Sequence, residues 1–581
     1  MKESAASQAS RSGGASGRSW LNQALQNKII AVVLAMIVAV PLFAAPADYS
    51  LTGIAALTLE SFGLVLLAMM AWRAKWDLRS EQLRTFAATS ANVPLLLFVG
   101  WVALSAALAP HKIFGIQYLL QIGAGALLYF AVAYQFRQSK HLSLLADALL
   151  FLALVVSIGG LAQYQLLDQE RASALFGNAQ PLASFVMLLL PVVVALAISD
   201  KNAKRQMVAQ ITAVLMVGCL FSTQGRSAML GALAGLAVLA LLSSRVAERV
   251  QEKALQSNRA KNGTALPLRA RKHQFVLPGL LTFVAIGFII VMNSQNGSVL
   301  KRASTLTQLG TDASWQGRLQ DHWKGGLEMV AQRPMMGWGA GHFPFYQGKF
   351  TQMGTEIDST GTGTRVSLAE QAHNFYLQTA AELGIVGLGL MGAVLVCFWI
   401  SAWRKVPQME AGIRRTLLMA SAAASVGFAV DAFGSPSWHY AQNSMFMWLL
   451  LGVGTSCLRP RLRSEFEAAP VSMPRITWLT RRAAVGACML MATLLPTAYS
   501  AGQQATYNPR VEKSNSERVF DVAFGTAAFA AAGYTIYYLF QQFTGGGIGN
   551  GGQPGGQGGT TGQPGGANGN NGRDDSKDKT P

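Results

Sequence analysis

Apolar residues in this chain gather into long uninterrupted stretches separated by short polar ones, with no alternation between the two. Such stretches lie near 29–45, 51–72, 93–109, 113–135, 142–164 and 182–199. Others follow near 207–221, 228–243, 275–292, 376–400, 416–433 and 443–457. A helix needs about 20 apolar residues to cross a hydrocarbon core ~30 Å thick, and most of these stretches approach that length. Strands of a membrane β-barrel would instead read as alternating segments. The pattern predicts an all-α polytopic membrane protein with twelve core transmembrane helices. Two further runs, near 481–501 and 520–541, would bring the total to fourteen. The first of them ends on the small residues Ala498-Tyr499-Ser500-Ala501, like a cleavage site, but its internal position favours a membrane helix.

The polar segments divide the chain. Residues 1–28 are rich in Ser, Ala and Gly and read as a disordered cytoplasmic leader, and 29–292 hold the first nine spans. Residues 293–375 form one long polar segment, too rich in Trp, Phe and Tyr for a linker, so a large, partly helical periplasmic cap is expected there. Spans ten to twelve occupy 376–457, a C-terminal extension with one or two membrane helices 458–543, and a disordered Gly-rich tail 544–581.

Charge gives the orientation. Arg73, Lys75, Arg79 and Arg84 separate spans two and three, Arg137 and Lys140 separate four and five, and Lys201, Lys204 and Arg205 separate six and seven. Residues 244–274 carry eight more Lys and Arg, while the alternate loops are nearly free of them. The positive-inside rule then puts the N-terminus and these loops in the cytoplasm, and 293–375 outside. The formal net charge of +19 on 581 residues would suggest nucleic acid in a soluble protein, but its placement in loops accounts for it and no nucleic-acid partner is expected. Only 13% of residues are charged, against about 25% in soluble proteins. Cys219, Cys397, Cys457 and Cys488 fall within apolar runs with no Cys-x-x-Cys pair, so free packed thiols are expected, with no zinc site and no disulfide framework.

Ionisable groups at an external helix end raise a functional question. Arg226, in the polar break Phe221-Ser-Thr-Gln-Gly-Arg-Ser227, runs against the positive-inside trend. It reads either as an arginine snorkelling to lipid phosphates or as a bidentate phosphate clamp. Arg171, shortly before Phe176-Gly-Asn178, reads either as a phosphate ligand or as a local partner of Asp168 or Glu170. Arg318 precedes Trp323 and the run Pro334-Met-Met-Gly-Trp-Gly-Ala-Gly341, whose glycines permit close backbone approach and positive φ. His373-Asn374 opens span ten, with Glu382 two turns deeper, and a neutral imidazole there could remove a proton from a hydroxyl. His322, His342 and His439 are external competitors for that role.

Taken in order, these segments resemble the O-antigen ligase and polymerase superfamily of bacterial envelope glycosyltransferases. The residues that carry the resemblance are Phe176-Gly-Asn178, Thr223-Gln-Gly-Arg226, Arg318 to Trp323, Pro334 to Phe343, and His373-Asn374 to Glu382-Leu-Gly384, within residues 29–457. The chain departs from the family pattern at Gly225 and Ser227, which flank the arginine where Ser and Gly are usual, and at Ala179-Gln180, where Pro-Asn is common. The resemblance implies a glycosyltransferase of the inner membrane, inverting and working on the periplasmic side without metal, ATP or cofactor. Its donor would be a glycan on undecaprenyl diphosphate and its acceptor a hydroxyl, foremost that of lipid A-core in lipopolysaccharide biosynthesis. His373, Arg226 and Arg318 would be catalytic, with Arg171, Asn178 and Asn374 binding substrate. A polymerase or a protein O-oligosaccharyltransferase differs only in acceptor. From another class, a flippase for the lipid-linked glycan suits twelve spans, with Glu60, Asp147 and Asp431 as a candidate proton path.

Overall fold

The computed structural model describes residues 27–41, 54–74, 91–166, 170–262, 322–350, 356–357, 364–365 and 371–459. Helices α1 (Asn27–Pro41) and α2 (Ile54–Ala74) are followed by α3 (Asn92–Leu108), α4 (Lys112–Gln135) and α5 (Ser139–Leu166). Next come α6 (Ala179–Ser199), α7 (Ala203–Thr223) and α8 (Arg226–Asn262). Two short helices, α9 (Lys324–Gln332) and α10 (Phe343–Tyr346), precede α11 (Phe375–Lys405), α12 (Ile413–Asp431) and α13 (Ala441–Leu458). A two-residue antiparallel pair, β1 (Glu356–Ile357) with β2 (Thr364–Arg365), is the only strand structure among the described residues.

Among the described residues, seven helices are long and apolar enough to cross a membrane: α4, α5, α6, α7, the first part of α8, α11 and α12. The chain is a multi-pass membrane protein. Helices lie on the expected spans from the first to the eighth and from the tenth to the twelfth. The ninth, near 275–292, lies outside the described residues, as do the leader, Arg318, the extension past 459 and the Gly-rich tail.

One helix outruns its expected span. The run 228–243 continues as α8 to Asn262, because the basic segment after it contains good helix formers and no Pro or Gly up to that point. An exposed Arg249–Glu252 pair, 3.0 Å apart at helical spacing, lies along this extension.

The core is built around α6 and α13, whose residues are buried almost end to end, with α12 packed against both. Leu96, Leu97, Leu108, Ile113, Leu233 and Ile400 point outward instead, as a lipid-facing surface requires. Where α8 crosses α12, a Cβ on Gly231 would sit 2.6 Å from Gly427 O, and one on Gly427 would sit 2.6 Å from Gly231 O. The two backbones touch, a contact that small residues permit between membrane helices.

The basic end of the bundle is tied by arginines. Arg205 bonds Asp147 at 2.7 Å and Asp200 at 3.0 Å, joining α5 to α7. Buried Arg414 donates to Arg137 O at 2.7 Å and to Ser456 O and Arg459 O at 2.9 and 2.6 Å, satisfying carbonyls that the end of α13 leaves open. Asp147 and Asp431 therefore have separate local partners at opposite ends of the bundle, the latter among serines described below.

Candidate active site

Three segments singled out in the sequence meet at the end opposite those arginines. The turn between α7 and α8 is made by Gln224, whose φ of +55° ends α7 in the left-handed region. The strand of chain before α6 is pinned to this turn. Ala172 N donates to Ser222 O at 3.0 Å, Arg171 Nε to Thr223 O at 2.9 Å, and Gln224 Nε2 to Glu170 O at 2.6 Å. Gln163 Oε1 accepts from Ser173 N at 2.8 Å and Ala174 N at 2.6 Å, which holds Ala174 at φ +44°. Arg171 and Arg226 are both half-buried beside this turn. A Cβ at Gly225 would meet Ala183 Cβ at 2.6 Å, which accounts for glycine at that position.

Asn178 caps α6 by accepting from Gln180 N at 2.8 Å, and Asn374 caps α11 by accepting from Tyr376 N and Leu377 N, both at 3.1 Å. Each of these caps typically contributes about 1 kcal/mol to its helix. The side-chain oxygens are committed to the helices.

His373 has a backbone φ of +51° between two fixed points. On one side Trp323 Nε1 donates to Ala372 O at 3.0 Å, and on the other Phe375 N donates to Ala432 O at 2.9 Å. Its imidazole packs edge-on against His322, centroids 5.4 Å apart.

The turn after α12 joins His373 to Arg226. Buried Asp431 accepts from Ser184 at 2.7 Å and from Ser437 and Ser227, with Ser435 2.6 Å from Ser437. Ser227 follows Arg226, and Ala432, which holds Phe375 N, follows Asp431. One serine-bound carboxylate therefore fixes the start of α8 against the chain that seats α11. Among the described residues the non-glycine residues with positive φ are Ala174, Gln224 and His373 alone, one in each of these segments.

The Pro334–Phe343 segment docks on α11 through main chain. Helix α11 is broken at Gly384 (φ 71°, ψ 177°), which releases carbonyls. Trp338 N takes Ala381 O and Gly339 N takes Glu382 O, both at 2.9 Å, while Ile385 N turns to Pro334 O at 2.8 Å. Leu383 O is taken by Trp101 Nε1 at 2.8 Å. Gly337 has φ +68° and a Cβ there would lie 2.4 Å from Glu382 O. Glu382, 1% exposed, accepts from Phe343 N at 3.1 Å and Gln378 Nε2 at 3.3 Å. It organises the loop and does not reach outward.

The competing histidines are differently placed. His342 is fully buried, its Nδ1 2.7 Å from Ala340 O and its Nε2 accepting from His111 N at 3.2 Å. Burial lowers its pKa, so it is a neutral strut with both nitrogens used. His439 is wedged against Phe375 and Tyr118, and burial pushes it down to about 4. Among the described residues no group of three or more His, Cys, Asp or Glu is placed to hold a metal ion.

Of the residues singled out in the sequence, Arg171, Asn178, Arg226, His373 and Asn374 thus sit at one end of the bundle. Asp431 was singled out only as an intramembrane acid; its serine partners carried no signal because they are short polar side chains, and the Gln163 clamp carried none because it closes on backbone N–H groups. Residues 211–392 match the family model described as O-Antigen ligase. The matched stretch includes Arg226, Arg318, His373 and Asn374 and stops short of Arg171 and Asn178. No curated protein matches the chain.

Proposed function

For this member of the O-antigen ligase superfamily, we propose glycosyl transfer on the periplasmic face of the bacterial inner membrane, moving a glycan from undecaprenyl diphosphate to an acceptor hydroxyl. The observation that carries the reading is the concentration of left-handed, non-glycine backbone at Ala174, Gln224 and His373. Such conformations cost of order 1–3 kcal/mol each and persist where the surroundings enforce them, typically at functional sites. In this chain they present Arg171, Arg226 and His373 around one end of the bundle.

Arg226, with Arg171 beside it and Arg318 from the cap, binds the diphosphate and stabilises the charge that grows on it as the glycosidic bond breaks. His373 removes the proton from the acceptor hydroxyl, which attacks the anomeric carbon from the side opposite the diphosphate and inverts it. The lipid diphosphate is an activated donor, so this chemistry requires neither nucleotide nor cofactor. The acceptor of first choice is lipid A-core, with a second lipid-linked glycan or a protein hydroxyl as the alternatives.

The arginine role is tested by substitution. Arg226→Ala should abolish transfer and weaken donor binding, and Arg226→Lys should rescue poorly because the bidentate geometry is lost. Titration of a polyprenyl diphosphate against purified protein gives the binding side of the test. Full activity and unchanged binding in the lysine variant would reduce Arg226 to a snorkelling arginine.

A further inference from the structure

The break at Gly384 sets a non-helical segment beside a membrane helix. We propose that Pro334–Gly341 is a re-entrant loop whose tip, Met335-Met336, is seated in the hydrocarbon edge of the leaflet on the His373 side. Irregular backbone is tolerated at membrane depth only where protein satisfies its polar groups. Protein supplies such partners on both sides of the tip: Trp338 N and Gly339 N bond the carbonyls of α11 released by the break, and Gly337 N takes Arg333 O at 3.0 Å. Ala340 N takes Ser105 Oγ at 3.0 Å, and Pro334 O receives Ile385 N.

Depth follows from two helices. A Cβ on Gly384 would lie 2.0 Å from Met335 O, so the tip is level with the break, and Trp101 bonds Leu383 O at the same level. Trp101 lies about seven residues, roughly 10 Å, inside the apolar end of α3 at Leu108. From the other side, Ile385 to Lys405 is about 21 residues, ~31 Å, enough to cross the hydrocarbon core by itself. The α11 ruler puts the tip at the hydrocarbon boundary, and the α3 ruler puts it inside the apolar length of that helix.

The side chains at that level are those a lipid would meet. Met335 is 60% exposed and Met336 43%, beside Ile385 at 53%. They continue the outward apolar face of α11 formed by Val396, Ile400 and Trp403. Arg333, just before the tip, lays its guanidinium over the Trp338 ring at 4.2 Å, the arrangement of an arginine at the headgroup level. A tip that lined a watery cavity would have no reason to present two methionines beside the lipid face of α11. The inference rests on the membrane assignment and is independent of glycosyl transfer.

Nitroxide labels at Met335→Cys and Met336→Cys test it, in the full chain reconstituted into phosphatidylethanolamine–phosphatidylglycerol vesicles. Cys397 and Cys488 are replaced by alanine, and Cys219 and Cys457 are buried and stay. Leu104→Cys on the lipid face of α3 and Lys349→Cys on an exposed turn are the references. The expected result is collision with oxygen as at Leu104 and severalfold less collision with a water-soluble nickel chelate than at Lys349. Nickel access at both methionine positions equal to that at Lys349 would overturn the proposal. The two positions are read separately, so a label that disturbs one leaves the other decisive.

Discussion

Alanine at His373 is expected to lower glycan transfer by about 10²–10⁴-fold, the usual contribution of a positioned base, with the protein still inserted and still binding its donor. The expectation comes from the surroundings of the residue. Its neighbours on both sides are anchored, Ala372 by Trp323 and Phe375 by Ala432, so the backbone that carries the imidazole is fixed from both sides. Removing the ring leaves those anchors in place. His373→Asn is the stricter variant, because asparagine is enriched in the left-handed region that φ +51° requires. Both variants should be expressed and folded, and both inactive. Near-normal turnover in either, or loss of activity only together with loss of protein, would make the histidine structural. His342→Ala should behave differently: it removes a buried strut between Ala340 and His111, so its effect falls on stability first.

Gly384→Ala is expected to unseat the cap and eliminate activity together with a large part of the stability. At φ +71° and ψ 177°, a region open essentially to glycine alone, an alanine costs of order 1–3 kcal/mol for the conformation. Its Cβ would lie 2.0 Å from Met335 O, and relieving such an overlap in a packed region typically costs a further 1–3 kcal/mol or so. The alternative for the chain is to close the break into continuous helix, which takes Ala381 O and Glu382 O away from Trp338 N and Gly339 N. Thermal unfolding in detergent and limited proteolysis of the 322–350 segment check this. A variant with unchanged melting temperature and proteolytic pattern would show that the break does not hold the cap.

The helices on the described spans were legible because a membrane demands long apolar runs and little else interrupts them. Helix ends outside the apolar region were not: α8 runs on to Asn262 on propensity and ion pairing, which hydropathy does not register. The positive-φ requirement of the Pro334–Gly341 glycines could be read from their identity. Their partner could not, since the matching break at Gly384 belongs to a separate motif whose own spacing reads as ordinary helix. Asn178 and Asn374 stood out beside the charged residues, and their helix-capping bonds account for that prominence. Asp431 was readable as an intramembrane acid but not as the link between Arg226 and His373, because Ser184 and Ser437 reach it from distant and near parts of the chain alike.

The central claim is that this protein makes a glycosidic bond from a lipid diphosphate donor. It is tested most directly by reconstituting the purified full chain with a defined undecaprenyl-diphosphate-linked glycan and lipid A-core, with chelator present and no nucleotide, and analysing the product by mass and by the configuration of the new linkage. The account predicts a glycan joined to the acceptor with inverted anomeric configuration and stoichiometric release of undecaprenyl diphosphate, lost in His373→Ala. Donor that crosses the bilayer with its glycan still attached, and no new bond to lipid A-core, to a second lipid-linked glycan or to a protein acceptor, would contradict it.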